Sequence, residues 1–155
     1  MARRLRPRDL HRAREAALQM LYQWEVGRGS PDEVSASYWS LGRPGLPAAP
    51  GVRDRADQLV LGTIGRVTDL DPMIAAHAQH WRLSRMAVVD RQILRLAAFE
   101  LQEGQGTPPS VVIDEALELA RTFSTEDAVK FINGVLDAIR RDLVAGGEGP
   151  PESVP

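Results

Sequence analysis

SRMAVVDRQILRLAAFELQE, from Ser84 to Glu103, is the stretch that decides the fold. Placed at 100° per residue, Met86, Val89, Ile93, Leu94, Leu96, Ala97, Phe99 and Leu101 occupy most of a helix circumference rather than one stripe. A helix apolar nearly all round has to be enclosed by others, so this one belongs at the centre of a helical assembly, with Ser84 as its expected cap. Glu100 falls angularly inside the apolar surface, where a carboxylate has to be paired with an Arg or with helix-terminal amides.

Downstream, GQGTPP (104–109) stops this helix. A sixth helix then carries Ile113, Ala116, Leu117, Ala120 and Phe123, and a seventh from about Thr125 carries Ala128, Ile132, Val135, Leu136, Ile139 and Leu143. Upstream, Leu10, Ala13, Ala17, Met20, Leu21 and Trp24 form the stripe of a first helix over Leu10–Glu25, ended by Gly27 and Gly29. Shorter candidates follow at Pro31–Leu41, at Val52–Val67 with Leu59, Val60 and Ile64 inward, and at Asp69–Trp81, where Asp71 before Pro72 is the start signal. No segment alternates with period two between hairpin signals, which leaves an all-α fold of about seven helices. The expected organisation is a basic flexible arm over 1–9, a helical domain over 10–145 containing a Pro/Gly-rich loop at 42–51, and a disordered tail over 146–155.

The net charge of −2 hides an uneven distribution. Between Met1 and Arg14 there are six arginines and one aspartate, a net +5, so the rest of the chain carries −7. A polyanion responds to charge within about 8 Å at physiological salt, so the arm matters more to it than the whole-chain balance. The absence of Cys excludes a disulfide framework, a thiolate metal site and a thiol nucleophile, and suits a reducing cytoplasm. There is no run of eighteen apolar residues, and no apolar run behind the basic amino terminus, so neither a membrane span nor a signal peptide is expected.

Two constellations offer binding chemistry. In the first, Arg12 and Arg14 flank the apolar stripe of the first helix, while His11, Glu15, Leu18 and Tyr22 line its opposite side. Cationic groups beside an outward aromatic suit single-stranded nucleic acid, because the cations neutralise phosphates and the ring stacks on an unpaired base. A solvated basic terminus, with Tyr22 packed under the Gly-rich loop, is the alternative. The second is FSTEDAVKFINGVLD (Phe123–Asp137), where Phe131 lies on the flank of the core stripe with Asp127, Lys130 and Gly134 near it. Either Gly134 bares the ring to a partner or a base, or it lets a neighbouring helix pack closely over a core Phe131. Ser124 or Thr125, followed by Glu126 and Asp127, also makes an ordinary helix start.

Enzyme signatures are missing: there is no P-loop, dinucleotide fingerprint, nucleophile elbow or H-E-x-x-H. His77 and His80 are three apart with no third ligand at metal-site spacing, and adjacent carboxylates such as Asp114 and Glu115 point about 100° apart. No catalytic residue, metal or cofactor is expected.

HRAREAALQMLYQWE (11–25), DRQILRLAAFEL (90–101) and VVIDEALELARTFSTEDAVKFINGVLD (111–137) resemble the three signature blocks of the NusB family, in the family's order and spacing. The resemblance covers nearly the whole chain, leaving out the loop from Gly27 to Gly51 and the two tails. It implies seven helices in two packed subdomains and a cytoplasmic transcription antitermination factor that catalyses nothing. Such a protein binds boxA-type single-stranded RNA together with NusE, a small-subunit ribosomal protein, in a complex with RNA polymerase and other Nus factors that favours ribosomal RNA operons. It exists as a monomer or a homodimer. By the same resemblance the RNA-binding residues are Arg12, Arg14, Tyr22, Asp127, Lys130 and Phe131, and Asp90 faces NusE. Leu10 and His11 stand where the family often has Arg, and Asp114 and Val129 where Asn and His are frequent; Arg3, Arg4, Arg6 and Arg8 are available to compensate for the first departure. Two rivals fit less well. Nothing after Asp142 could bind S-adenosylmethionine, as an RNA methyltransferase carrying such a domain would require, and no helix is basic enough on its exposed face for helix-turn-helix readout of DNA.

Overall fold

The computed structural model describes residues 5–41, 50–78, 83–104 and 106–147, and within them the protein is all-α. Two compact units, Met1–Arg66 and Val67–Pro155, each close around their own helices.

The first unit holds α1 (Pro7–Gly27), α2 (Pro31–Ser40) and α3 (Pro50–Gly65), with α1 packed along α3 and α2 against both. Ala13, Ala17, Met20 and Leu21 are buried as the stripe predicts, but so are Ala16, Leu18 and Arg14, which widens the buried arc of α1 to about 200° at 100° per residue. Leu18, expected on the outward line, is therefore core. α1 opens at Pro7, so the last three residues of the expected arm form its first turn. It closes through Arg28, which takes the left-handed conformation at φ 61° and donates its N–H to the Trp24 carbonyl, between the two glycines predicted to do so. Ser30 caps α2 by accepting from the Glu33 N–H at 3.1 Å, while the Glu33 carboxylate accepts from the Ser30 N–H at 2.9 Å. Pro50 and Gly51, predicted to end the loop, open α3; residues 42–49 lie outside the described set.

Polar contacts fasten this unit. The Asp57 carboxylate on α3 accepts from the Ser35 hydroxyl at 2.8 Å and the Trp39 indole N–H at 2.9 Å, both on α2. Arg53 lies 5.5 Å from the Trp39 ring centroid. Tyr38, fully enclosed, donates to Gln19 on α1 at 2.6 Å.

The second unit holds α4 (Val67–His77), a 3₁₀ turn (Leu83–Arg85), α5 (Val88–Glu103), α6 (Pro109–Phe123) and α7 (Glu126–Gly147). As predicted, α5 is its centre: it packs on α4, α6 and α7, and every residue from Gln92 to Glu100 is buried. Fully enclosed Ile93, Leu94 and Leu96 each contribute about 1.5–3 kcal/mol of burial. Ser84 does not cap this helix. It sits in the 3₁₀ turn, whose Leu83 carbonyl accepts from Arg91 at 2.7 Å, and α5 begins four residues later behind Ala87. Pro72 likewise fails to start α4, lying inside it, because Asp71 is committed elsewhere. Arg95, 7% exposed, donates from Nε and Nη2 to the two Asp71 carboxylate oxygens at 2.8 and 2.7 Å, a bidentate clamp between α5 and α4. Phe123, assigned to the apolar stripe of α6, is 38% exposed at the helix end. His77 Nε2 lies 2.7 Å from Asp142 Oδ2, tying α4 to α7, while His80 falls outside the described residues. Among the described residues no helix is long and apolar enough to cross a membrane.

Candidate RNA interface and partner face

On α1 the residues left uncovered by the buried arc form one strip. Arg8 and Arg12, one turn apart, lead to Gln19, Tyr22 and Val26, with Glu15 between them. Tyr22 is 46% exposed, whereas most of the Gly-rich loop proposed to cover it lies outside the described residues. At 1.5 Å per residue, Arg12 and Tyr22 stand about 15 Å apart along the helix. Arg12 is half-buried. Arg14 departs from expectation: it lies on the other side of Ala13 from Arg12, within the widened arc, and is only 4% exposed. The strip thus carries Arg8 in the place foreseen for Arg14, a position that the four-residue spacing from Arg12 could have revealed.

On α7, Asp127, Lys130 and Gly134 are exposed and Phe131 is half-buried on the flank of the core stripe. A Cβ built at Gly134 meets nothing within 4 Å, so the glycine is not there to admit a packed helix. It leaves bare backbone one turn beyond Lys130. Further along the same face, Asp137 binds Arg140 at 3.1 Å and Arg141 more closely. The Arg141 hydrogen bond is the chief reason that the Asp137 carboxyl titrates below its ordinary value and the Arg141 guanidinium above its own. Asp137 offsets one of the two arginines; besides them the α7 residues offer a ring, a lysine and bare backbone, while the exposed strip of α1 offers Arg8 and Arg12.

Asp90 lies in the first turn of α5, where the helix dipole favours a carboxylate. Its Oδ1 accepts from the Ser124 hydroxyl at 2.5 Å, across the turn between α6 and α7. Thr125 takes the capping role that the sequence left open between the two hydroxyls, accepting from the Ala128 N–H at 3.1 Å. The contact presents Asp90 half-buried, oriented, and close to the start of the α7 face.

The family model of the NusB family matches residues 11–141, from within α1 to within α7. The chain belongs to the NusB family. It is 50% identical over 135 residues to the transcription antitermination protein NusB of Solibacter usitatus, covering 85% of this chain and 88% of that one. It is 46% identical over 134 residues to the Koribacter versatilis NusB, covering 86% and 90%. Among solved structures, Thermotoga maritima NusB superposes with a TM-score of 0.76 at 31% identity, covering 86% of this chain and 91% of that chain. A crystal structure of the antitermination factors NusB and NusE in complex with double-stranded RNA superposes with a TM-score of 0.75 at 26% identity, covering 88% and 99%. As a NusB-family member the chain is a transcription antitermination factor and not an enzyme.

Proposed function

We propose that this NusB-family chain binds boxA-type RNA jointly with NusE and carries that RNA into an antitermination complex with RNA polymerase and other Nus factors, in the cytoplasm, on ribosomal RNA operons. The observation that carries the reading is the exposed Tyr22 ring in line with Arg8 and Arg12 on α1, a stacking platform beside phosphate-neutralising charge. Arg12, Tyr22, Lys130 and Phe131 are the contacting residues, with Gly134 admitting close approach to α7. Asp127 is an acceptor for base or sugar donors, and Arg14 adds charge from beneath the strip rather than a direct contact. Asp90 is the acidic contact for NusE. Free of both ligands, the chain is either a monomer or a homodimer whose interface covers the RNA side, and a mass measurement of the free protein and of its mixture with NusE tells the two apart.

A salt-dependent titration tests this. The chain alone binds single-stranded boxA-like RNA weakly, since its body is acidic, and NusE tightens it; by linkage, RNA strengthens NusE binding by the same factor. Equal RNA affinity with and without NusE overturns the joint mode. The related NusB–NusE structure contains double-stranded RNA, so single-stranded RNA, duplex RNA and duplex DNA are compared side by side, and preference for either duplex removes the stacking role. Tyr22→Ala lowers RNA affinity by about 1–3 kcal/mol, the range for a lost base stack, with almost no loss of stability because the ring is exposed. Phe131→Ala lowers both, because its ring is half-covered.

A further inference from the structure

α1 begins with a poor cap. Arg6 stands at the cap position, and an arginine side chain has no acceptor for the free N–H groups of a first turn. Among the described residues the side-chain contact at this cap is the Asp9 carboxylate accepting from the Arg6 N–H at 3.4 Å, a long bond. The Arg6 carbonyl accepts from the Asp9 and Leu10 N–H groups at 2.9 and 3.0 Å, so Arg6 and Arg8 lie at a helix start closed by backbone bonds but without a side-chain cap. The preceding residue adds an apolar anchor. Leu5 is half-buried, and its Cδ2 occupies the space beside Gly51 in the first turn of α3, where an added Cβ would lie 2.7 Å from it. Gly51 has no left-handed backbone to justify a glycine. Its missing side chain is the seat for Leu5.

We infer that the Leu5–Gly51 contact positions Arg6 and Arg8 in register with Arg12 for RNA phosphates, making Leu5 and Gly51 positioning residues for RNA binding. The inference rests on the RNA reading above. With the seat intact, the first turn and its arginines are anchored before RNA arrives; with the seat lost, the same charges remain but have to be ordered on binding.

Gly51→Ala in the full chain separates this from a packing role. Alanine favours a helix over glycine while the added Cβ takes the space of the Leu5 Cδ2 and makes that side chain shift, so the two effects on stability oppose one another and the net change is small. Affinity for single-stranded boxA-like RNA in the presence of NusE is expected to fall about three- to tenfold, with the slope of log affinity against log salt unchanged because no phosphate partner is removed. Leu5→Ala gives the same fall and adds little in the Gly51→Ala background, and Leu5→Met, which refills the seat, restores binding. Arg8→Ala differs by making the slope shallower by about 0.7. Wild-type RNA affinity in Gly51→Ala overturns the inference, as does a shallower slope in Leu5→Ala. Failure of the wild-type protein with NusE to bind RNA at all overturns the RNA reading itself, a result that no seat variant mimics.

Discussion

The Ser124 hydroxyl donates to the Asp90 carboxylate at 2.5 Å, so the half-buried acidic residue at the start of α5 is tied to the turn that launches α7. Asp90→Asn keeps an acceptor for Ser124 and removes only the charge, whereas Ser124→Ala keeps the charge and frees it. If Asp90 contacts NusE, Asp90→Asn weakens NusE binding with little change in melting temperature. Ser124→Ala costs about 1–2 kcal/mol of stability, as for a partly buried hydrogen bond to a charged group, and weakens NusE less. Calorimetric titration and thermal unfolding of both variants check the two halves.

Arg95 reaches Asp71 with both hydrogen bonds satisfied from a position only 7% exposed. Asp71→Ala removes the carboxylate from that guanidinium, leaving the 3.3 Å bond to Gln92, and is expected to cost about 3 kcal/mol, the low end for breaking a buried pair because the Asp71 side chain is one-third exposed. Denaturant unfolding of Asp71→Ala, Arg95→Met and the double variant shows this directly: the double variant is more stable than Asp71→Ala alone if the guanidinium left without its carboxylate is the cause.

Arg28 holds a left-handed backbone at φ 61°, which costs a side-chain-bearing residue about 1 kcal/mol that glycine avoids. Arg28→Gly is therefore expected to raise the melting temperature by about 2–4 °C for a chain of this size. A lower melting temperature would show that the Arg28 side chain contributes more than its backbone costs.

The Asp137 carboxyl is held below its ordinary value, chiefly by the Arg141 hydrogen bond. A carboxylate depressed on folding contributes stability that is fully present above its unfolded pKa of about 4 and is lost as pH falls through the lower folded value. Titration of the Asp137 side-chain carboxyl by NMR is expected to give a midpoint below that of a free aspartate, moving up in Arg141→Ala. An unchanged midpoint in that variant sinks the assignment of Arg141 as the main cause.

Much of the fold was legible because α5 announces itself: nine consecutive buried residues require the nearly all-round apolar surface that the sequence displays. Boundaries were less legible where a side chain with two possible tasks took the less local one. Asp71 before Pro72 has the form of a helix start, yet its carboxylate goes to Arg95, twenty-four residues away, and α4 runs on through the proline. Ser84 has the form of a cap, yet Arg91 occupies the Leu83 carbonyl beside it and the chain makes a 3₁₀ turn first. For the candidate site, period alone placed Tyr22 outward and Phe131 on a flank. It could not place Arg14 inside, because the buried arc of α1 extends past the residues whose own hydrophobicity marks it.

Ser124 and Thr125 are neighbours that answer to different helices, one bonded back to α5 and the other to the first turn of α7. The two-residue junction between Phe123 and Glu126 is thereby fixed in length as well as in direction. Substitutions there are graded in effect, but an inserted or deleted residue would turn all of α7 by about 100° relative to its cap, carrying Lys130 and Phe131 off the surface and Ile132 and Leu136 out of the core. Related chains should therefore vary in the composition of this turn and agree in its count.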